Sequence, residues 1–339
     1  MSVRPVLSLL GALALAAACA GPAATPTPAP TAVPTPAPTP TQIAWPDELI
    51  LGLVPSREAD VLVENAKPLT DHLTQVLSQQ AGKTVTVTGF VPQDYTGLVS
   101  AMKTGQADIG AFGPFSMLQA VDEAGALMIL QSVRFGSATY HSQWFTNDPG
   151  TYCNDDPVAD DKGWLGCNGT VGATTGPLAE DAVAKIAAGT KVAFVEQAST
   201  SGYIFPALML KNAGIDPETG IAPIFAGSHD NSVLAVYNGD APVGVSFDDA
   251  RGNVDEEFPD VGQKVVVFAY SAEIPNDGWV VRSELPQDLQ AAITQALLDY
   301  AASEDGKATL KSIYNIDGLQ VANPAAFDVV REAADKLGL

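Results

Sequence analysis

The chain is poor in the residues that most often carry chemistry. Its 339 residues include only three histidines and three cysteines, with no C-x-x-C pair and no two histidines one helical turn apart. Structural zinc, iron–sulfur and histidine-based hydrolytic metal sites are therefore not expected, and no metal or other cofactor is called for. There is no P-loop and no G-x-S-x-G elbow. Basic residues are scarce as well: 17 Lys and Arg stand against 39 Asp and Glu, a formal net charge of −22, which excludes a nucleic-acid partner held through its phosphates. The acidic residues are dispersed, the pattern of a solvated surface. They do not argue against an anionic ligand, because a small anion is held by local donors and dipoles while net charge acts on solubility and encounter. Finally, no stretch joins apolar, charge-free character to the roughly 20 residues of a membrane-spanning helix.

The N-terminus does carry a short apolar run. Arg4 precedes Val6 to Ala17, which ends in small residues and Cys19, the pattern of a secretory signal over residues 1–18. Leu15-Ala16-Ala17-Ala18-Cys19 resembles a bacterial lipobox with its leucine one place early. Cleavage there would leave Cys19 as an acylated N-terminus, the alternative being ordinary cleavage at an Ala-x-Ala site. Ala20 to Pro46 is uncharged and dominated by Pro and Thr, so it buries no core and reads as an extended polyproline II spacer. At about 3.1 Å per residue it would reach on the order of 80 Å, enough to hold a globular body clear of a membrane. Residues 19–46 are thus expected to be a lipidated cysteine and linker, leaving Cys153 and Cys167 as a pair. In an oxidising compartment these would close a short loop worth roughly 3 kcal/mol. Without Arg4, 16 basic residues face 39 acidic ones, and the mature charge becomes −23.

From Glu48 onward about 290 residues remain, more than one core usually serves, so two lobes are expected. Strand-like and helix-like runs alternate. Leu49–Val54 is followed by a helical stripe of Leu62, Ala66, Leu69, Leu73 and Val76/Leu77, then by strand Thr84–Phe90. A helix from about Gly97, strand Ala107–Phe112, a helix opening near Pro114 and strand Leu127–Val133 complete a parallel sheet flanked by helices. After Tyr140–Phe145 and the cysteine loop the alternation restarts with Lys191–Val195, Ile221–Phe225 and Val243–Phe247 as strands and helices between them. Val265–Tyr270 and Gly278–Val281 lead back, and the C-terminus is helical with Leu289, Ile293, Ala296, Leu297 and Tyr300 on one face. The fold class is α/β, with lobe 1 formed by 47–140 and 271–339 and lobe 2 by 141–270. A ligand is expected in the cleft between lobes, outside the carboxyl ends of the strands.

Several strand ends carry suitable donors. Ser199-Thr200-Ser201-Gly202 sits between an apolar strand and a helical run, where free amides and three hydroxyls would wrap an anion. A plain N-cap would use one of them. Phe112-Gly113-Pro114-Phe115-Ser116 repeats the strand, turn and helix start in the first lobe, which makes Phe112, Gly113 and Ser116 secondary candidates. Tyr95 opens a helix after another strand, and His229 lies at a further strand end, where capping or packing is the plainer role. Asp248, Asp249 and Asp277 follow apolar strands. A carboxylate facing the cleft would accept a hydrogen bond from a protonated phosphorus oxyanion or pair with an ammonium, and sulfate offers neither. Ser199, His229 and Asp249 can be written as a catalytic triad, but the serine lacks a nucleophile-elbow setting, so no enzyme is expected.

In order along the chain, Pro92-Gln93-Asp94-Tyr95-Thr96-Gly97, Gly113 to Ala120, Ser199-Thr200-Ser201-Gly202-Tyr203, His229 to Asn238 and Ile274-Pro275-Asn276-Asp277 resemble the phosphonate, phosphite and phosphate binding proteins of ABC importers. The resemblance implies a two-lobed type II periplasmic-binding-protein architecture hinged about its ligand. It implies Tyr95 and Tyr140 as cleft tyrosines, Ser199, Thr200 and Ser201 as the oxyanion turn, and His229 as a ligand contact. Asp277 corresponds to a family aspartate, and Asp249 to a glutamate that meets an amino group in phosphonate-specific members. The 153–167 loop is extra relative to shorter members. The expected protein is a monomeric, exported lipoprotein on the outer face of the cell membrane, passing a small phosphorus oxyanion to a permease. The anion is expected to be held by hydroxyls and helix-start amides and not by arginines. A receptor for another small organic anion and a sensory ligand-binding module are the alternatives.

Overall fold

The computed structural model describes residues 44–339. The expected signal sequence, Cys19 and nearly all of the Pro/Thr segment lie outside the described residues. The ordered body begins before residue 47: Trp45 packs against the core, and its carbonyl accepts a hydrogen bond from Lys83 Nζ at 2.6 Å.

The strands, in chain order, are β1 Glu48–Leu53, β2 Thr86–Phe90, β3 Ile109–Phe112, β4 Leu127–Val133, β5 Thr139–Tyr140, β6 Ser142–Thr146, β7 Val158–Ala159, β8 Leu165–Gly166, β9 Lys191–Phe194, β10 Ala222–Phe225, β11 Val243–Phe247, β12 Val266–Tyr270, β13 Ile274–Pro275, β14 Gly278–Val281 and β15 Gly318–Val321. They form two large sheets, of order β15-β4-β14-β3-β1-β2 and β10-β9-β11-β6-β12-β8-β7. Helix Ala59–Ala81 connects β1 to β2 and buries Leu62, Ala66, Leu69, Leu73 and Leu77, one face at a spacing of three and four residues. It ends where Gly82 takes a positive φ of 64°, a C-terminal cap that costs a glycine nothing.

The first sheet is not all parallel. β1, β2 and β3 run together, but β14 lies antiparallel between β3 and β4, and β15 is antiparallel on β4. The reason is topological: β14 arrives from the second lobe and needs no helical crossover to reach its place. In the second sheet β9, β10 and β11 are parallel, and β6 is antiparallel to both β11 and β12. The chain passes between the sheets twice, from β4 to β6 and from β12 to β14. The two passages pair with one another as β5 and β13, with Ile274 opposite Tyr140 and Pro275 opposite Thr139.

Cys153 and Cys167 form a disulfide with Cα atoms 5.7 Å apart. It fastens the loop bearing β7 and β8 to the far edge of the second sheet, where the Cys167 amide donates to Val267 O. Among the described residues no helix is long and apolar enough to cross a membrane, and no group of His, Cys, Asp or Glu is arranged to hold a metal.

Candidate anion site

A cavity of about 40 Å³ lies between the two sheets. On the same measure one water needs roughly 10–15 Å³, so the space suits a few waters or one small tetrahedral ion. Its residues come from one edge of each sheet. Val54 follows β1, Tyr95 opens the helix after β2, Gly113 follows β3, and Arg134 follows β4. From the other lobe, Ser199, Thr200 and Ser201 follow β9, His229 follows β10, and Phe247 ends β11. The antiparallel strands contribute their starts instead: Asp277 precedes β14, and Tyr314 and Asn315 precede β15. Carboxyl ends of parallel strands and amino ends of antiparallel ones share an edge, so the loops converge.

The turn after β9 is built to donate. Ser199 caps a single π-helical turn, Thr200–Ile204, and its Oγ accepts the Gly202 amide at 3.1 Å. Thr200 Oγ1 accepts the Phe115 amide from the opposite lobe at 2.8 Å. Both hydroxyl oxygens thus accept from backbone amides, which fixes their positions on the turn. The Thr200 and Ser201 amides occupy the first positions of the turn, where a helix has no internal acceptor. Ser142 Oγ donates to Ser201 O at 2.6 Å and fixes the turn to β6. The Tyr95 side chain hydrogen-bonds Ser199 and that of Tyr140 bonds Ser201; burial above all, then the Asp277 charge, pushes both phenols up. They are therefore neutral donors at physiological pH.

His229 is buried at the start of helix His229–Tyr237. Its Nδ1 lies 2.8 Å from Ser246 Oγ and accepts the Phe247 amide at 3.4 Å. This bonding puts the proton of the neutral ring on Nε2. Burial first, and the Arg134 charge second, push the imidazole down to about 3, so it stays uncharged. His229 N donates to Ser56 O at 3.1 Å, and Arg57 Nε stands 3.7 Å from Asp230 Oδ2. Together with Phe115 to Thr200, these contacts join lobe to lobe around the cavity.

Two arginines, Arg57 and Arg134, line the cavity, contrary to the expectation of a site without them. Arg134 pairs with Asp277 and stands 5.9 Å over the Tyr140 ring. Burial raises the Asp277 carboxyl and Arg134 opposes the rise. Arg134 Nε, buried, has no hydrogen-bond partner among the described residues. A guanidinium with an unused donor, neutral hydroxyls, phenols, helix-start amides and an imidazole N–H together present positive potential and directional donors without requiring a fully charged site.

The structure brings Tyr95, Gly113, Tyr140, Ser199, Thr200, Ser201, His229 and Asp277 to this cavity. It does not bring the others. Asp249 lines the larger neighbouring cavity instead and is gripped by Arg251, whose Nη2 donates at 2.6 Å and Nε at 3.1 Å, with Gln143 Nε2 adding a bond at 3.0 Å. The arginine two residues on folds back and consumes the carboxylate. Asp248 accepts from Tyr270 OH at 3.3 Å and lines other cavities. Phe112 is a core side chain, and Ser116, fully buried, donates to Gly113 O at 3.2 Å. No Ser199–His229–Asp249 triad exists, since His229 Nδ1 faces Ser246 and Asp249 faces Arg251. Sequence reasoning missed Arg57, Arg134, Asn253, Tyr314 and Asn315. The usable signal was scarcity: in a chain with so few basic residues, an arginine directly after an apolar strand stands at a strand end, where ligands bind.

Residues 51–327 match the family of ABC transporter, phosphonate, periplasmic substrate-binding proteins. The chain belongs to that family. Among similar proteins, the phosphate-import protein PhnD of Mycolicibacterium smegmatis is 30% identical over 219 residues, 61% of this chain and 57% of its own length. The phosphonates-binding periplasmic protein of Escherichia coli is 25% identical over 254 residues, 74% of this chain and 66% of its own. The matched stretch thus spans under two thirds of either relative. Of solved structures, PhnD1 of Prochlorococcus marinus in complex with methylphosphonate superposes with a TM-score of 0.70 at 19% identity, covering 86% of this chain and 98% of that one. A binding protein component of an ABC phosphonate transporter from Pseudomonas aeruginosa gives 0.70 at 20% identity, covering 87% of each. The fold is accordingly the two-lobed type II periplasmic-binding architecture.

Proposed function

We propose that this protein captures a small phosphorus oxyanion, a phosphonate, phosphite or phosphate, and delivers it to the permease of an ABC importer without chemical change. The carrying observation is the convergence of the Ser199–Ser201 turn, Tyr95, Tyr140, His229 and Arg134 on one cavity the size of a tetrahedral ion, ringed by lobe-to-lobe bonds. Family membership supports the transport role, and the named ligands of the M. smegmatis, E. coli and P. marinus proteins support the ligand class.

In this reading the oxyanion takes hydrogen bonds from the turn's hydroxyls and amides, while Arg134 balances its charge. Asp277 Oδ2 is engaged by Arg134, so Oδ1 is left to accept from a protonated ligand oxygen. Sulfate, unprotonated at neutral pH, leaves that acceptor unpaired, at a cost on the order of 1–3 kcal/mol. Lobe closure desolvates the ligand and creates the surface that the permease reads. Cys19 acylation and the Pro/Thr segment would hold the body at the outer face of the membrane. The test is thermal: saturating ligand at a hundred times its Kd should stabilise the wild type by roughly 2.7 kcal/mol. The Ser199→Ala, Thr200→Ala, Ser201→Ala triple variant should show no shift. If phosphate, phosphite and methylphosphonate all leave the wild-type melting temperature unmoved, the reading is wrong.

A further inference from the structure

Arg134 reaches the anion cavity from a tight reverse turn. Residues 134–137 close a two-residue hairpin loop, in which the Arg134 amide donates to Ser137 O at 2.9 Å and the Ser137 amide to Arg134 O at 2.8 Å. Both central residues lie at positive φ, Phe135 at 51° and Gly136 at 74°, as a two-residue type I′ loop requires. Glycine adopts that conformation freely. A phenylalanine does not, and asparagine is the residue more usual at its place. Phe135 is also 74% exposed, so burial of its ring does little to offset the strain.

What holds Phe135 comes from a distant part of the chain. Its amide donates to Asp317 Oδ2, 182 residues on. Lys311 Nζ binds Asp317 Oδ1 at 2.8 Å and stands 4.6 Å over the Phe135 ring. Asp317 is itself fixed, because its own amide donates to the carbonyl of Val133, the residue before Arg134, at 2.9 Å. A strained residue persists where its surroundings over-determine it, and such places cluster at functional sites. Lys311 belongs to helix Glu304–Tyr314, whose C-terminal end also supports the second arginine of the cavity: Arg57 Nη1 donates to Ser312 O at 3.2 Å, one of the carbonyls that a helix end leaves without an internal partner.

We infer that Lys311 and Asp317 are positioning residues for the anion site: they clamp Phe135 in its left-handed conformation and so hold Arg134 where its guanidinium meets a phosphorus oxyanion. The inference rests on the phosphorus-oxyanion reading and extends it to two residues outside the cavity lining. Without the clamp Phe135 relaxes to negative φ, the loop opens and Arg134 loses its aim. The sign of the effect separates positioning from charge. Asp317 is an acidic group within reach of the Arg134 charge, so by Coulomb's law alone its removal would tighten the binding of an anion. Loss of the clamp weakens it.

The experiment is calorimetric titration of the wild type and its variants with phosphate, phosphite and methylphosphonate. For whichever of these the wild type binds most tightly, Asp317→Ala is expected to weaken binding about tenfold. Asp317→Asn keeps an acceptor for the Phe135 amide and is expected to lose less, about threefold. Adding Phe135→Asn to Asp317→Ala is expected to bring affinity back to within about twofold of the wild type, since asparagine holds a left-handed turn unaided. In an Arg134→Gln background, Asp317→Ala is expected to change affinity by less than about twofold. Should Asp317→Ala not fold, Lys311→Ala is carried through the same rescue and the same background. The clamp is overturned if Asp317→Ala binds as tightly as the wild type or more tightly, as it would were its role confined to stability. It is overturned equally if Phe135→Asn brings no recovery, or if the loss is as large without Arg134. Failure of all three probes to bind the wild type overturns the underlying reading as well.

Discussion

A buried histidine beside an arginine can serve an anion in two ways, as a cation or as a neutral donor, and the surroundings of His229 decide for the second. Its folded pKa lies near 3, below the unfolded value of about 6.5. A depressed base costs stability as pH falls through the unfolded value, because the unfolded state takes up the proton that the folded state refuses. The imidazole resonances of His229 are therefore expected to stay constant between pH 8 and pH 5, with anion affinity showing no step assignable to that ring. A titration midpoint near 6.5 in the NMR spectrum would contradict this. The same residue shows what could be read in advance. His229, the serine-threonine turn and Tyr95 sit at strand ends and helix starts, positions that local pattern reveals. That Asp249 would be taken by Arg251 depends on where an arginine side chain folds back in three dimensions, and spacing does not report it. Arg134 and Asp277 are 143 residues apart in sequence, so their pairing was equally beyond local pattern.

At the level of the element, the decisive piece is the turn after β9. Gly202 there has no room for a side chain: an added Cβ would lie 2.4 Å from Val195 and 2.7 Å from Ser199 Oγ. Gly202→Ala is expected to push the turn off β9, lowering stability on the order of 1–3 kcal/mol and weakening anion binding with it. Gly113, at the matching turn of the other lobe, is different. Its Cβ would meet nothing nearer than Tyr95 Cε1 at 3.8 Å, so Gly113→Ala should change stability by about 0.5 kcal/mol or less. Urea denaturation of both variants checks the contrast, and equal losses would refute it. Strands were legible where they are apolar and continuous; β4, β11 and β14 occupy the stretches their sequences mark. β15 was not, since Gly318-Leu319-Gln320-Val321 is a half-exposed edge strand without a full hydrophobic face. The sheet's antiparallel members were also hidden, because strand direction depends on the path of the returning chain and not on residue type.

On the scale of the whole molecule, two sheets joined by a paired crossover enclose the site, and the lobes already touch through Phe115 and Thr200, Ser56 and His229, and Arg57 and Asp230. A chain with a net charge of −22 repels an approaching anion at long range, so what binds must be held by short-range donors around Arg134. The central claim is that these donors hold a phosphorus oxyanion and reject sulfate through Asp277. Calorimetric titration of the wild type and Arg134→Gln with phosphate, phosphite, methylphosphonate and sulfate tests it most directly. The account predicts a Kd of about 1 μM or below for at least one phosphorus oxyanion. It also predicts binding on the order of a hundredfold weaker both for sulfate to the wild type and for that oxyanion to the variant. Sulfate binding as tightly as the best phosphorus ligand, or an Arg134→Gln variant that binds it undiminished, would contradict the account.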